Sequence, residues 1–182
     1  MATIDTLLTA EEFFELPDDG RPTELVKGRV ITMNMPGGRH GWLCNRLGRM
    51  IGNFVDDHKL GYVFNNDSGV ITGRSPDTVR GADVAYYSHM RMPHGPPTRY
   101  PEQPPELVIE VRSPDDRWKE TLAKVADYLN AGVLVVCVVD PQSETVKTYY
   151  PDRPEETLGM NGELRFPEIL PGFMVSVRSI FE

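Results

Sequence analysis

Two acidic residues stand where apolar strand residues are expected. Glu110 interrupts Leu107-Val108-Ile109-Glu110-Val111, and Asp83 interrupts Ala82-Asp83-Val84-Ala85-Tyr86. A carboxylate in an apolar strand is unfavourable unless it is paired, metal-bound or solvated. Strand alternation puts Val108, Glu110 and Arg112 on one face, so one reading is a half-exposed Glu110 neutralised by Arg112. Asp83 supports another. Two carboxylates on neighbouring strands repel unless a cation lies between them. A hard ion such as Mg²⁺ takes oxygen ligands from one or two carboxylates plus water, and can activate that water against a phosphodiester. Many sheets hold two acids, so these residues alone leave both readings open.

Other residues are open to two readings as well. Lys124 reads, from its neighbours alone, as a surface lysine paired with Glu120 one turn earlier. His40 opens a helical stretch, where a histidine is more often a cap or surface contact than a contact to a phosphate or an active site. His89 and His94 flank a loop and are either metal ligands or loop residues. Gly37-Gly38 hints at anion binding but lacks a phosphate-loop lysine pattern. Cys44 and Cys137 each lie in apolar stretches outside any CxxC pair, which predicts two buried, reduced thiols. By chain spacing the sequence offers too few ligands for zinc.

These residues must be positioned by a sheet and its helices. Thr9-Ala10-Glu11-Glu12 is a capping box that predicts a short helix ending near Leu16-Pro17. Two short strands around Lys27-Gly28 predict a β-hairpin over 24–33. Leu43, Leu47, Met50, Ile51, Phe54 and Val55 lie at helical spacing, predicting a helix over 40–55. Gly48 and Gly52 weaken it unless another element packs closely there. Strands are expected at 62–64 and 70–71 around an Asn-Asn-Asp-Ser-Gly turn, then at 82–87. Six prolines make 92–105 an irregular loop between strands. A strand at 107–111 leads to a helix over 115–130, capped by Asp115 or Asp116 and closed by Ala131-Gly132. The β-branched run 133–139 reads as a central strand, 145–150 as the next, and the tail as a last strand or turn to Phe181. The order implies a mixed α/β (α+β) architecture, a central β-sheet flanked by helices, formed by residues 1–182 as one domain.

Composition narrows the function classes. With 40% hydrophobic and 25% charged residues the chain can bury a core and is not a disordered tail. A net charge of −8 argues against non-specific coating of nucleic acid. The charge is uneven, however. Residues 36–100 hold eight Lys/Arg against five Asp/Glu, while the rest holds eleven against 22, so either a locally basic face or a mixed surface results. The longest apolar run, 131–139, is too short to cross a bilayer. The N-terminal stretch carries acids where a signal peptide carries a positive region, which predicts a soluble cytoplasmic protein with no membrane role.

An ordered set of short motifs then resembles the Uma-type family of bacterial endonucleases, formerly a domain of unknown function, within the PD-(D/E)XK superfamily. The matching pieces run from Phe14-Glu15-Leu16 and Glu24-Leu25-Val26-Lys27-Gly28 through His40 to Arg80-Gly81-Ala82-Asp83-Val84. They continue with Pro105-Glu106-Leu107-Val108-Ile109-Glu110-Val111-Arg112-Ser113-Pro114, Lys124, Tyr128 and Ala131-Gly132-Val133. Val139-Asp140-Pro141 and Leu170-Pro171-Gly172-Phe173 complete the set. The resemblance implies a restriction-endonuclease-like fold and a Mg²⁺-dependent (or Mn²⁺-dependent) hydrolase of DNA phosphodiesters, working as a homodimer. It makes Asp83 and Glu110 metal ligands helped by the main-chain carbonyl of Val111, and Glu24 a further acidic site residue. It makes Lys124 the lysine that orients or activates water. Ala82 replaces the family's usual proline. Arg112 replaces the superfamily's lysine two residues after the glutamate; it can offset charge but cannot act as a general base. Two alternatives stand beside this expectation: a nuclease-derived binding or assembly module without catalysis, and a hydrolase of RNA or a smaller phosphate ester.

Overall fold

The computed structural model describes residues 7–17 and 20–182; the start of the N-terminal stretch read for a leader lies outside them. The capping box forms as expected, with the Thr9 hydroxyl accepting from the Glu12 N–H and the Glu12 carboxylate accepting from the Thr9 N–H. The helix it starts, α1 (Ala10–Phe14), stops two residues before Leu16. Strands β1 (Thr23–Val26) and β2 (Arg29–Thr32) follow as an antiparallel hairpin. Its two turn residues, Lys27 (φ 50°) and Gly28 (φ 76°), are both left-handed, the backbone of a tight hairpin turn matched to strand twist.

Helix α2 spans Gly38–His58 and buries Leu43, Leu47, Ile51 and Val55 on one face. Gly48 is where another element presses close, since a Cβ there would overlap the Asn65 side chain; at Gly52 the space is open. Residues 61–73 form one long strand, β3 (Gly61–Gly73), not two strands around a turn. Asn66 (φ 64°) and Asp67 (φ 52°) form a bulge that faces the single residue Asp83 on the partner β4 (Thr78–Ser88). Bulge and turn ask for the same left-handed residues, so the local sequence is alike for both.

The 92–105 segment is irregular, as expected. Strand β5 (Leu107–Val111) is antiparallel to β4 and parallel to β6 (Val135–Asp140), and every residue of β5 and β6 is buried. Helix α3 (Trp118–Ala131) crosses between them and ends at Gly132 (φ 100°). It starts later than expected. Asp116 instead accepts from the Ser113 N–H and shapes the turn before the helix, and Arg117 is the N-cap. Strands β7 (Thr145–Tyr149) and β8 (Glu156–Leu158) extend the sheet. The tail is a hairpin of β9 (Glu163–Phe166) and β10 (Leu170–Ser176), then a short helix α4 (Val177–Phe181) where only a strand or turn was expected.

The result is the expected mixed sheet flanked by helices, ordered β2-β1-β4-β5-β6-β7-β8 with β3 on β4. On one face α2, α4 and the β9–β10 hairpin pack on Val84, Tyr86, Ile109 and Val111. On the other, Val125 and Tyr128 of α3 pack on Ala82, Ala85 and Val108. No helix among the described residues is long and apolar enough to cross a membrane.

One feature of the sheet creates the site. β3 occupies one edge of β4 along most of its length, so β1 and β5 must share the other edge. β1 pairs at Val79, whereas β5 pairs only from Val84 to Tyr86. Between them, residues 80–83 face a fork with no strand partner, and their backbone groups must be satisfied by side chains.

Candidate active site at the fork of the sheet

The fork fills with charged groups. The Gly81 N–H donates to Glu24 Oε1 at 3.1 Å, and the Gly81 carbonyl accepts from Lys124 Nζ at 3.2 Å and Tyr128 Oη at 3.1 Å. Asp83 Oδ2 accepts from the Val111 N–H at 2.6 Å, tying β4 to the end of β5. Asp83 comes one residue before Val84 and Glu110 one residue after Ile109, the last register pair of the two strands, so the two carboxylates meet at the fork from adjacent strands.

Glu110 accepts from Tyr128 Oη at 2.8 Å and pairs with Lys124 Nζ at 2.7 Å. Lys124 Nζ also lies 3.0 Å from Glu24. Arg80 closes the network, 2.8 Å from Glu24 and 2.6 Å from Asp127. Lys124 therefore points into the acidic fork rather than serving as the surface partner of Glu120. Its position on α3 explains the geometry, because Lys124 and Tyr128 are one turn apart on the face that packs on the sheet.

The sequence-predicted residues divide into two groups. Glu24, Asp83, Glu110 and Lys124 converge, with Val111 donating its N–H to Asp83. Arg112 does not join them. Its guanidinium pairs with Asp140 at 3.0 Å, donates to the Asp116 carbonyl at 2.7 Å and lies over the Trp118 ring. The reading in which Arg112 neutralises Glu110 is therefore corrected: Lys124 and Tyr128 take that place.

Four residues at the fork were missed or left undecided. His40 Nε2 lies 3.3 Å from Asp83 Oδ2, so the helix-opening histidine faces the site. Cys44 lies one turn on, 3.4 Å from His40 Nδ1, and is half-buried at the site; Cys137 alone is a sealed core thiol. Asp67, displayed by the bulge, lines a pocket of about 240 Å³ with His40, Cys44, Asn65 and Asp83. Arg80 anchors Glu24. The signals available were the i, i+4 spacing of His40 and Cys44 and the Arg80-Gly81 pair just before Asp83. His89 packs edge-on against Tyr62 instead.

Electrostatics follow from burial. Loss of water pushes the Glu110 carboxyl up to about 7; the charge of Asp83 adds to this, and Lys124 and Tyr128 counter it. Burial opposes the Lys124 ammonium, but the carboxylates of Glu110 and Glu24 outweigh it and raise its pKa, so it stays charged at neutral pH. Glu24 is held below its usual range because Lys124 and Arg80 overcome its burial. His40 is raised chiefly by its hydrogen bond to Asp83, and Asp67 is raised by burial and by Asp83.

Glu110 gives a pH signature. Its folded pKa lies above its unfolded value near 4.5, so its contribution to stability is fully present below that value and is lost as pH rises through about 7. Glu110→Gln removes this term while leaving a neutral isostere. In EDTA, the variant should gain on the parent protein between pH 5 and pH 8. Urea unfolding at both pH values measures it; an equal difference at the two pH values contradicts the assignment.

Comparison with known proteins bears on the family and the fold. The model of the Uma2 family, described as "Putative restriction endonuclease", matches residues 10–178. A crystal structure titled as a "putative nuclease belonging to DUF820" from Anabaena variabilis ATCC 29413 matches with a TM-score of 0.84. The match covers 96% of this chain and 97% of that one at 22% identity, which establishes the shared fold. No curated protein matches. With the family model spanning nearly the whole chain, this protein belongs to the Uma2 family.

Proposed function

We propose that this protein is a metal-dependent endonuclease that hydrolyses DNA phosphodiester bonds at the fork of its sheet. The observation that carries the reading is the juxtaposition of Asp83 and Glu110 on adjacent strands with Lys124 against them. The donor set suits a hard divalent ion: two carboxylates and the Val111 carbonyl are all oxygen ligands. A buried Glu110 pushed towards neutrality by its surroundings and by Asp83 is a group that a divalent cation would relieve. Mg²⁺ or Mn²⁺ supplies Lewis-acid stabilisation of the charge that grows on a phosphodiester and favours deprotonation of an attacking water.

The side chains divide the remaining work. Asp83 and Glu110 hold the ion. Lys124, kept charged by its neighbours, orients the water and stabilises anionic charge; it does not serve as a base. Glu24 fixes Lys124, and Arg80 fixes Glu24. Arg112 offsets the charge of Asp140 and pins the turn after β5. In this reading the substrate is DNA in the cytoplasm, and a homodimer presents two sites so that both strands are cut.

A second reading is an assembly module without catalysis. It is favoured by the fact that Lys124 already balances Glu110 and Glu24, while Arg112 is committed to Asp140. Incubation with supercoiled plasmid separates the two. The nuclease reading expects nicked and linear products with Mg²⁺ or Mn²⁺ and none in EDTA. Intact plasmid, and intact RNA, at every metal concentration would favour the module.

A further inference from the structure

Helix α2 brings a different ligand chemistry to Asp83. His40 and Cys44 lie one turn apart on α2, on the face directed at Asp83. His40 Nε2 is 3.3 Å from Asp83 Oδ2 and 4.0 Å from Cys44 Sγ, and one ligand atom from each residue falls within 4.8 Å of the others. Bond lengths of about 2.0–2.3 Å in a tetrahedral zinc site place ligand atoms roughly 3.3–3.8 Å apart, so side-chain adjustments of about 1 Å close the set. The pocket beside them, lined by Asn65 and Asp67, leaves a fourth position for water or for the Asp67 carboxylate.

We propose that His40, Cys44 and Asp83 form a second, softer metal site that takes Zn²⁺ or a similar borderline ion. Nitrogen and sulfur donors select against Mg²⁺, while the all-oxygen donors across Asp83 suit it. Cys44 would bind such an ion as its thiolate, the form a coordinating thiol takes. The consequence rests on the proposed nuclease reading: the two sites share Asp83, so zinc withdraws a ligand from the catalytic ion and inhibits cleavage. Zinc then acts as an inhibitory ligand rather than a cofactor. Chain spacing hid this site because its third ligand lies 39 residues beyond Cys44 in sequence.

Co²⁺ replaces Zn²⁺ as a visible probe. Titrating the full chain with Co²⁺ should produce a thiolate-to-cobalt charge-transfer band together with the intense d–d bands of a four-coordinate ion. Cys44→Ala should abolish the charge-transfer band, and His40→Ala should weaken Co²⁺ binding at least about tenfold, with thermal melts confirming that both variants fold. Absence of the band in the parent protein, or its persistence in Cys44→Ala, overturns the site whether or not the protein cuts DNA. Where Mg²⁺-dependent cutting occurs, Zn²⁺ should suppress it, and Cys44→Ala should need at least about ten times more Zn²⁺ for the same fractional loss. Equal zinc sensitivity of the two proteins contradicts the shared-ligand inhibition alone.

Discussion

Asp83→Asn is expected to fold normally and to lose Mg²⁺-dependent DNA cleavage by about 10³-fold or more. The magnitude follows from the several kcal/mol that a bound ion contributes to transition-state stabilisation, with each 1.36 kcal/mol worth tenfold in rate. Folding should survive for a local reason. The amide oxygen introduced by the substitution can still accept the Val111 N–H that Asp83 Oδ2 accepts at 2.6 Å, so the tie between β4 and β5 persists. Removing one charge also lessens the repulsion felt by Glu110. Single-turnover cleavage rates together with thermal melts in EDTA separate the two effects. Loss of activity with an unchanged melt is the expected pair of results; undiminished cutting would show that Asp83 is no metal ligand.

Lys124→Met is expected to behave in the opposite way, with a large loss of stability in the metal-free protein. Lys124 is the cation held jointly by Glu24 and Glu110, at 3.0 and 2.7 Å, and its side chain is only 18% exposed. Methionine keeps the stem and leaves Glu110 facing Asp83 without the ammonium. Breaking a buried pair from one side typically costs about 3–5 kcal/mol. For a chain of this size that corresponds to a melting-temperature drop of roughly 6–20 °C in EDTA. On the nuclease reading, Mg²⁺ supplies a replacement positive charge, so millimolar Mg²⁺ should raise the melting temperature of Lys124→Met more than that of the parent protein. A drop of under about 2 °C would mean that Lys124 is not the counter-ion of the fork.

Much of the fold was legible because its determinants are local. The Thr9 capping box, the Lys27-Gly28 turn, the buried runs of β5 and β6 and the Gly132 stop each act within a few residues. The failures arise where remote contacts choose between local equivalents. Asn66 and Asp67 suit a turn or a bulge equally, and pairing along the whole of β4 selects the bulge. Asp116 suits a helix cap, but it serves the Ser113 turn. Lys124 had Glu120 within reach along its helix, and the fork between β1 and β5 turns it to Glu110 and Glu24 instead. The acidic pair was visible as two breaks in apolar runs, since burying a carboxylate is unfavourable enough to need a reason. His40 was left undecided and Cys44 and Asp67 were hidden, because nothing local in the sequence says that helix α2 and the bulge close over Asp83.

The central claim is that Asp83 and Glu110 together hold a hard divalent ion, and calorimetric titration with Mg²⁺ tests it most directly. The parent protein should bind one Mg²⁺ per chain at this site, and binding should vanish in both Asp83→Ala and Glu110→Ala while each variant remains folded. No Mg²⁺ binding by the parent protein, or binding undisturbed by both substitutions, would contradict it.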